Sequence, residues 1–234
     1  MFADSRYFKM GCHAFDAPRC VRFAAPCDPR YSPWVQRQLS LFRAASPRFD
    51  GRFARVARTE LGEGAWVEHA PAWVAAEDVL FDRLAETTRW RKERRPMYDQ
   101  VVDVPRLIAV LPEDGDGDPI FEEMRVALSL HYREDFLRTS LAFYRDGRDS
   151  VAFHGDTVAR EMSEALVATV SLGSPRRLLL KPTAGGRSVA SFELGQGDLF
   201  VMGGTCQRTF RHGIPKVASA GPRIAVMFRP VWVT

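Results

Sequence analysis

The chain has 234 residues, 46% of them hydrophobic, and a formal charge of +4, which suits one domain with a sizeable core. No run approaches the roughly 18 uninterrupted apolar residues of a membrane-spanning helix, and the first dozen residues lack the apolar centre of a signal peptide. The expectation is a cytoplasmic protein with no membrane partner, monomeric by default, whose slight basicity permits a nucleic-acid partner without demanding one.

Residues 1–33 mix Pro, Cys, Arg and isolated aromatics without a period, and read as an irregular N-terminal extension. Cys12, Cys20 and Cys27 lie there beside His13, but their spacing contains no Cys-x-x-Cys pair. Reduced thiols are expected rather than a zinc cluster. Over 33–45, Trp34, Val35, Leu39, Leu41 and Phe42 recur near helical spacing and Pro47 closes the segment, which predicts a first helix. A second is predicted over 76–93, with Glu77 and Asp78 at its start and Arg91 and Lys92 at its end, the polarity that complements a helix dipole. Residues 94–98 read as loop and 101–110 as a strand, followed by an acidic turn over 112–118. A third helix follows over 119–132.

From Ser140 the texture changes to short β-type runs at 140–145, 150–153, 166–172, 177–181, 188–193, 198–202 and 224–231, separated by glycine-bearing turns. The fold class expected is mainly β with flanking helices (α+β). An antiparallel sandwich or jelly-roll core over 138–234 would be preceded by a helical and lid layer over 34–137, the whole of 34–234 forming one domain.

Chemistry concentrates at His154-Gly155-Asp156 and, far downstream, His212. Side chains two apart on a strand share a face, so His154 and Asp156 point together and one distant histidine completes a three-ligand set. Two imidazoles and one carboxylate on one face of an octahedron leave three positions open, the pattern suited to Fe(II) that must also receive a co-substrate and dioxygen. Taken alone, His-x-Asp is a weak motif. A second feature raises its weight: Arg223 and Arg229 fall on one face of the last strand pattern. Arginine is seldom buried without a partner, and its planar donor fork suits a carboxylate.

Ala142-Phe143-Tyr144-Arg145-Asp146-Gly147, His154-Gly155-Asp156, Val170-Ser171-Leu172-Gly173, Gly197-Asp198-Leu199-Phe200-Val201-Met202, His212-Gly213-Ile214-Pro215-Lys216 and the closing Arg223 and Arg229 stand in the order and spacing of the AlkB-type dioxygenases. The chain resembles that family from about residue 95 to 231, including Val104-Pro105-Arg106. The resemblance implies a double-stranded β-helix (jelly roll), Fe(II) at His154, Asp156 and His212, and 2-oxoglutarate and dioxygen as co-substrates, with ascorbate as a candidate reductant. It further implies that Arg223 and Tyr144 meet the remote carboxylate of 2-oxoglutarate, that Arg229 sits near the chelating end, and that Thr169 lines the pocket. The iron centre itself would be the only catalytic group.

Several departures concern affinity and substrate. Ala142, Ala225 and Met227 replace polar residues usual in the family, and Val158 stands where many base-repairing members place a carboxylate. An apolar side chain cannot accept a hydrogen bond from an exocyclic amine. Trp90, Tyr98 and Arg106, in a stretch rich in Arg and Lys, are the candidates for gripping a nucleic-acid substrate by stacking and phosphate contact. The expectation is oxidative demethylation of alkylated bases in DNA or RNA, a reaction that needs the base out of its stack. The alternative is the same centre hydroxylating a small molecule or a protein side chain.

Overall fold

A computed structural model describes residues 46–97, 100–112, 117–155, 162–185 and 190–230. The extension expected at 1–33, the helix expected at 33–45, and Cys12, His13, Cys20 and Cys27 lie outside these. In chain order the elements begin β1 (Arg48–Phe49), β2 (Ala57–Gly62), β3 (Ala65–Ala70), β4 (Val74–Ala75), α1 (Glu77–Thr87), β5 (Arg91–Met97), β6 (Gln100–Val110) and α2 (Pro119–Tyr132). They continue β7 (Phe136–Tyr144), β8 (Val151–His154), β9 (Val167–Gly173), β10 (Arg176–Pro182), β11 (Ala190–Leu194), β12 (Asp198–Gly204), α3 (Cys206–Thr209), β13 (Phe210–Ile214) and β14 (Arg223–Pro230).

One large antiparallel sheet runs β2-β3-β12-β9-β14-β7-β6-β5, and a smaller one runs β11-β10-β13-β8. The large sheet is covered on both faces, which explains why β9 is buried at every position. Period-two alternation divides its side chains between two cores. Ile224, Val226 and Phe228 of β14, Ala168, Val170 and Leu172 of β9, and Leu141 and Phe143 of β7 turn to one face, where Leu80, Phe81 and Leu84 of α1 and Met124 and Leu128 of α2 cover them. The opposite face offers Ala142, Tyr144, Val167, Phe200, Met202 and Ala225, which pack against Leu178, Leu180, Phe210 and Ile214 of the small sheet. This helix, sheet and sheet arrangement is the jelly roll expected from the strand pattern.

Helix α2 has the bounds the sequence predicts. Asp118 accepts from the backbone N–H of Ile120 at 3.2 Å and Pro119 opens the first turn, both ordinary start signals. Helix α1 is shorter than the predicted 76–93: it stops at Thr87 and Thr88 is already extended. Two adjacent β-branched residues disfavour continuation. Arg91–Met97, expected as helix end and loop, is instead the outer strand of the large sheet among the described residues, paired there with β6. Its charge and its proline are what an edge strand tolerates and what discourages pairing with another chain.

Two further differences concern strands the sequence pattern does not predict. The segment expected as a helical layer supplies β1 to β5 besides the expected strand at 101–110 and two helices, and β2 and β3 extend the large sheet beyond β12. Strand β13, which carries His212, joins β10 to β8. Because Phe228 is fully buried and meets the Phe121 ring edge-on at 6.1 Å between centroids, Phe228→Ala should cost about 3–5 kcal/mol. Urea unfolding at matched m-values measures it, and a loss under about 1 kcal/mol would contradict this account of the helix-facing core.

Candidate active site

The two sheets do not close on each other completely. Between them lies a cavity of about 300 Å³ whose wall includes His154 and His212 from the small sheet and Tyr144, Thr169, Arg223 and Arg229 from the large one. With Arg106, which also lines it, seven candidate site residues from the sequence are therefore brought together around one space. Asp156, the expected third metal ligand, lies outside the described residues, as does Tyr98.

His154 and His212 are direct partners in the antiparallel pairing of β8 with β13, which puts both side chains on one face. Their ring centroids are 4.4 Å apart. The register shifts just beyond them: Ile214 pairs with Val151, so three steps of β8 face two of β13. A bulge of this kind re-aims the side chains next to it. Gly213 sits opposite the bulge, and a Cβ there would lie 3.1 Å from the Val151 carbonyl oxygen and 3.2 Å from the Phe153 nitrogen. The glycine lets the two histidine-bearing strands approach closely.

The protonation of this pair suits a metal. His154 Nδ1 lies 2.9 Å from the Ala152 carbonyl oxygen, and a carbonyl only accepts, so Nδ1 carries the hydrogen and Nε2 is left with its lone pair. Burial, reinforced by the neighbouring charges of His154, Arg229 and Arg106, holds His212 well below the usual histidine range. Neutral imidazole is the form that ligates. Among the described residues no group of three His, Cys, Asp or Glu side chains converges as a metal site, so two of the three expected ligands are in view.

The far wall is built for an anion. Arg223 is 1% exposed; its Nη2 donates to Ser171 Oγ at 2.6 Å, while Nε and Nη1 are buried and have no hydrogen-bond partner among the described residues. Burial, against an opposing contribution from Tyr144, lowers its pKa to about 10, leaving it charged at neutral pH. Unmatched buried donors on a cation are costly, and a carboxylate is the group that meets them. Arg229 donates to Ser140 Oγ at 2.8 Å, with Met227 Sδ 3.6 Å from its other Nη. Of the charged groups among the described lining residues, three are guanidiniums and one, Glu93, is a carboxylate. That surplus and the orphaned donors fit a dicarboxylate, and the histidine pair fits Fe(II).

The remaining candidates fare differently. Trp90 does not line the cavity: its ring packs against Phe143, 5.2 Å between centroids, and its Nε1 donates to the Ala85 carbonyl at 3.3 Å. It belongs to the helix-facing core. Arg106 is nine-tenths buried in the cavity wall rather than on a surface that grips phosphates, donating to Glu93 Oε2 at 3.1 Å and to the Tyr144 hydroxyl at 3.4 Å. Ala142 and Ala225 are cross-strand partners in the sheet-facing core, so the polar positions they replace have become packing.

Sequence reasoning missed Ser171, Glu93 and Gln207 as site residues. Ser171 lies two residues from Thr169 and so shares its face of β9, a signal that was available. Glu93 was hidden by the helix expected there. Gln207, also in the cavity wall, sits on the four-residue α3, too short to leave a periodic trace.

Comparison with known proteins agrees with this geometry. The 2OG-Fe(II) oxygenase superfamily model matches residues 125–229, a span that begins in α2 and takes in the strands from β7 into β14. An uncharacterized protein, R406, of Acanthamoeba polyphaga mimivirus is 38% identical over 88 residues, covering 37% of this chain and 45% of that protein. The alpha-ketoglutarate-dependent dioxygenase alkB homolog 3 of Mus musculus is 23% identical over 176 residues, 66% of this chain and 62% of that one. The chain thus matches between about half and three-fifths of the length of these relatives. The solved structure of OsALKBH1 superposes with a TM-score of 0.51 at 15% identity, covering 75% of this chain and 100% of that one, a likeness of fold. Residues 125–229 thus match the 2OG-Fe(II) oxygenase superfamily, and the chain is similar to AlkB-type dioxygenases.

The unmatched donors of Arg223 make a test of function against stability. Replacing a buried, underpaired cation with an apolar chain of similar length is commonly neutral or stabilising. Arg223→Met should therefore leave the melting temperature of the ligand-free protein unchanged or raise it, while removing 2-oxoglutarate binding measured by calorimetry. A loss of more than about 2 kcal/mol of stability would mean that the guanidinium is structural.

Proposed function

We propose that this protein is an Fe(II)- and 2-oxoglutarate-dependent dioxygenase that removes alkyl groups from nucleobases in DNA or RNA. The observation that carries the reading is the cavity itself, which has a close imidazole pair on one wall and a buried guanidinium with two unmet donors on the other. Its alkB homolog 3 relatives support the activity, and the slight positive charge is compatible with a nucleic-acid substrate.

In this reading His154, Asp156 and His212 hold the iron, and Arg223 and Tyr144 bind the remote carboxylate of 2-oxoglutarate. Arg229 lies towards its chelating end and Thr169 lines the pocket between. When bound, the metal supplies oxidation of an N-alkyl C–H bond with conversion of 2-oxoglutarate and dioxygen to succinate and carbon dioxide. The chain's own work is placement. Ala152 fixes the tautomer of His154 through its carbonyl oxygen, burial keeps His212 neutral, and the Ser171 and Ser140 hydroxyls anchor the two arginines. Val151, Val167, Leu178, Met202, Ile214 and Ala225 supply apolar wall that excludes water from the reacting atoms.

Incubation of purified protein with Fe(II), 2-oxoglutarate and oligonucleotides bearing single methylated bases, with and without ascorbate, should yield formaldehyde and succinate in equal amounts. Both products should disappear in His212→Ala. Succinate without formaldehyde across every methylated base tested would overturn the nucleic-acid reading and leave the oxygenase. No succinate and no binding of 2-oxoglutarate would overturn both.

A further inference from the structure

One buried polar chain is not accounted for by ligand binding alone. Glu93 on β5, Arg106 on β6, Tyr144 on β7 and Arg223 on β14 all line the cavity, and they come from the edge hairpin and from the centre of the large sheet. Arg106 Nη2 is 3.1 Å from Glu93 Oε2, Arg106 Nη1 is 3.4 Å from the Tyr144 hydroxyl, and the Arg223 guanidinium lies 5.3 Å from the centre of the Tyr144 ring. Arg106 Nε is buried with no hydrogen-bond partner among the described residues.

A guanidinium can only donate, so the Tyr144 oxygen is the acceptor in its contact with Arg106. Two further cations near the Tyr144 ring, Arg223 in the cavity wall and Arg176 outside it at 5.8 Å from the ring centre, are also donors. Among the described residues the Tyr144 hydroxyl serves only as an acceptor, so its proton is available to an acceptor that enters the cavity. A carboxylate is acceptor-only and answers that demand.

We propose that Arg106 is a positioning residue for the keto-diacid: pinned by Glu93, it holds the Tyr144 hydroxyl so that the proton is presented to the remote carboxylate. The inference rests on the co-substrate assignment under Proposed function. It moves Arg106 from substrate contact to co-substrate orientation, and it makes the β5–β6 hairpin part of the co-substrate pocket.

Calorimetric titration of protein loaded with redox-inert Mn(II) separates the two claims. The ligands are 2-oxoglutarate and 2-oxobutyrate, which keeps the chelating end but lacks the remote carboxylate. Tyr144→Phe and Arg106→Met should each weaken 2-oxoglutarate about tenfold while changing 2-oxobutyrate less than about twofold. Because both variants remove one interaction, the double variant should be no more than about threefold worse than the weaker single one. Arg106→Lys should recover part of the loss, and Glu93→Gln should show a smaller loss with the same ligand preference. Equal weakening of both acids by Arg106→Met, no weakening of either, or a fully additive double variant would overturn the positioning role. Should Arg106→Met fail to fold, unchanged 2-oxoglutarate affinity in both Arg106→Lys and Glu93→Gln would overturn it instead. If the wild type binds neither acid, the co-substrate assignment falls first and this inference with it, an outcome visible before any variant is made.

Discussion

A charged guanidinium held between two sheets with part of its donor fork unmatched is the constraint from which the site follows. Arg223 sits at the start of β14, flanked by β7 and β9 in the middle of the large sheet. Water cannot reach its Nε and Nη1, and among the described residues neither has a hydrogen-bond partner, while Nη2 donates to Ser171. Folding therefore leaves a debt of hydrogen bonds that an entering anion can settle. Tyr144, Arg106 and Arg229 are all donors placed around the same space, which is why the cavity selects for acceptor-rich ligands before any metal is considered.

That guanidinium can stay buried only because the sheet carrying it is packed on both faces. Even-numbered positions of β14 feed the helix-covered core, and odd-numbered positions feed the cavity and the core beside it. A one-residue slip of β14 would exchange Arg223 with Ile224 and invert both surfaces at once. The apolar half of the strand thereby locks the register of the functional half, and the pairing with β7 and β9 holds Arg223 opposite Tyr144 and Gly173. Stability and site geometry are one pattern read on two sides.

This also explains what was legible in the sequence. Strands β7 to β12 and β14 announce themselves because alternation and glycine turns are dense there, and the residues they present to the cavity follow from parity. Arg223 and Arg229 were readable on that ground alone. Strand β13 was hidden because Phe210–Ile214 is short and interrupted by Gly213, so His212 came from motif spacing and not from a strand. Edge strand β5 was hidden for a different reason: edge protection demands Arg, Lys and Pro, residues that imitate a helix end followed by a loop. Misreading that edge displaced Glu93 from view and made Trp90 and Arg106 look like surface groups. Side-chain direction at a sheet margin depends on which neighbour covers it, and that is information local sequence does not hold.

The histidines impose the complementary demand on the small sheet. They must stand close enough to share one cation, yet the pairing of β8 with β13 shifts register just beyond them. The bulge places one extra residue on β8, and Gly213 admits the close approach opposite it. The small sheet thus sets the spacing of the imidazoles and the large sheet sets the place of the guanidiniums. Neither sheet alone contains a site, so the reach between the two walls, filled by a ligand with a chelating end and a remote carboxylate, becomes a property of how the sheets pack. The apolar contacts of Leu178 and Ile214 with the β7, β9 and β14 face hold that separation, and in this fold they belong to the chemistry as much as to the core.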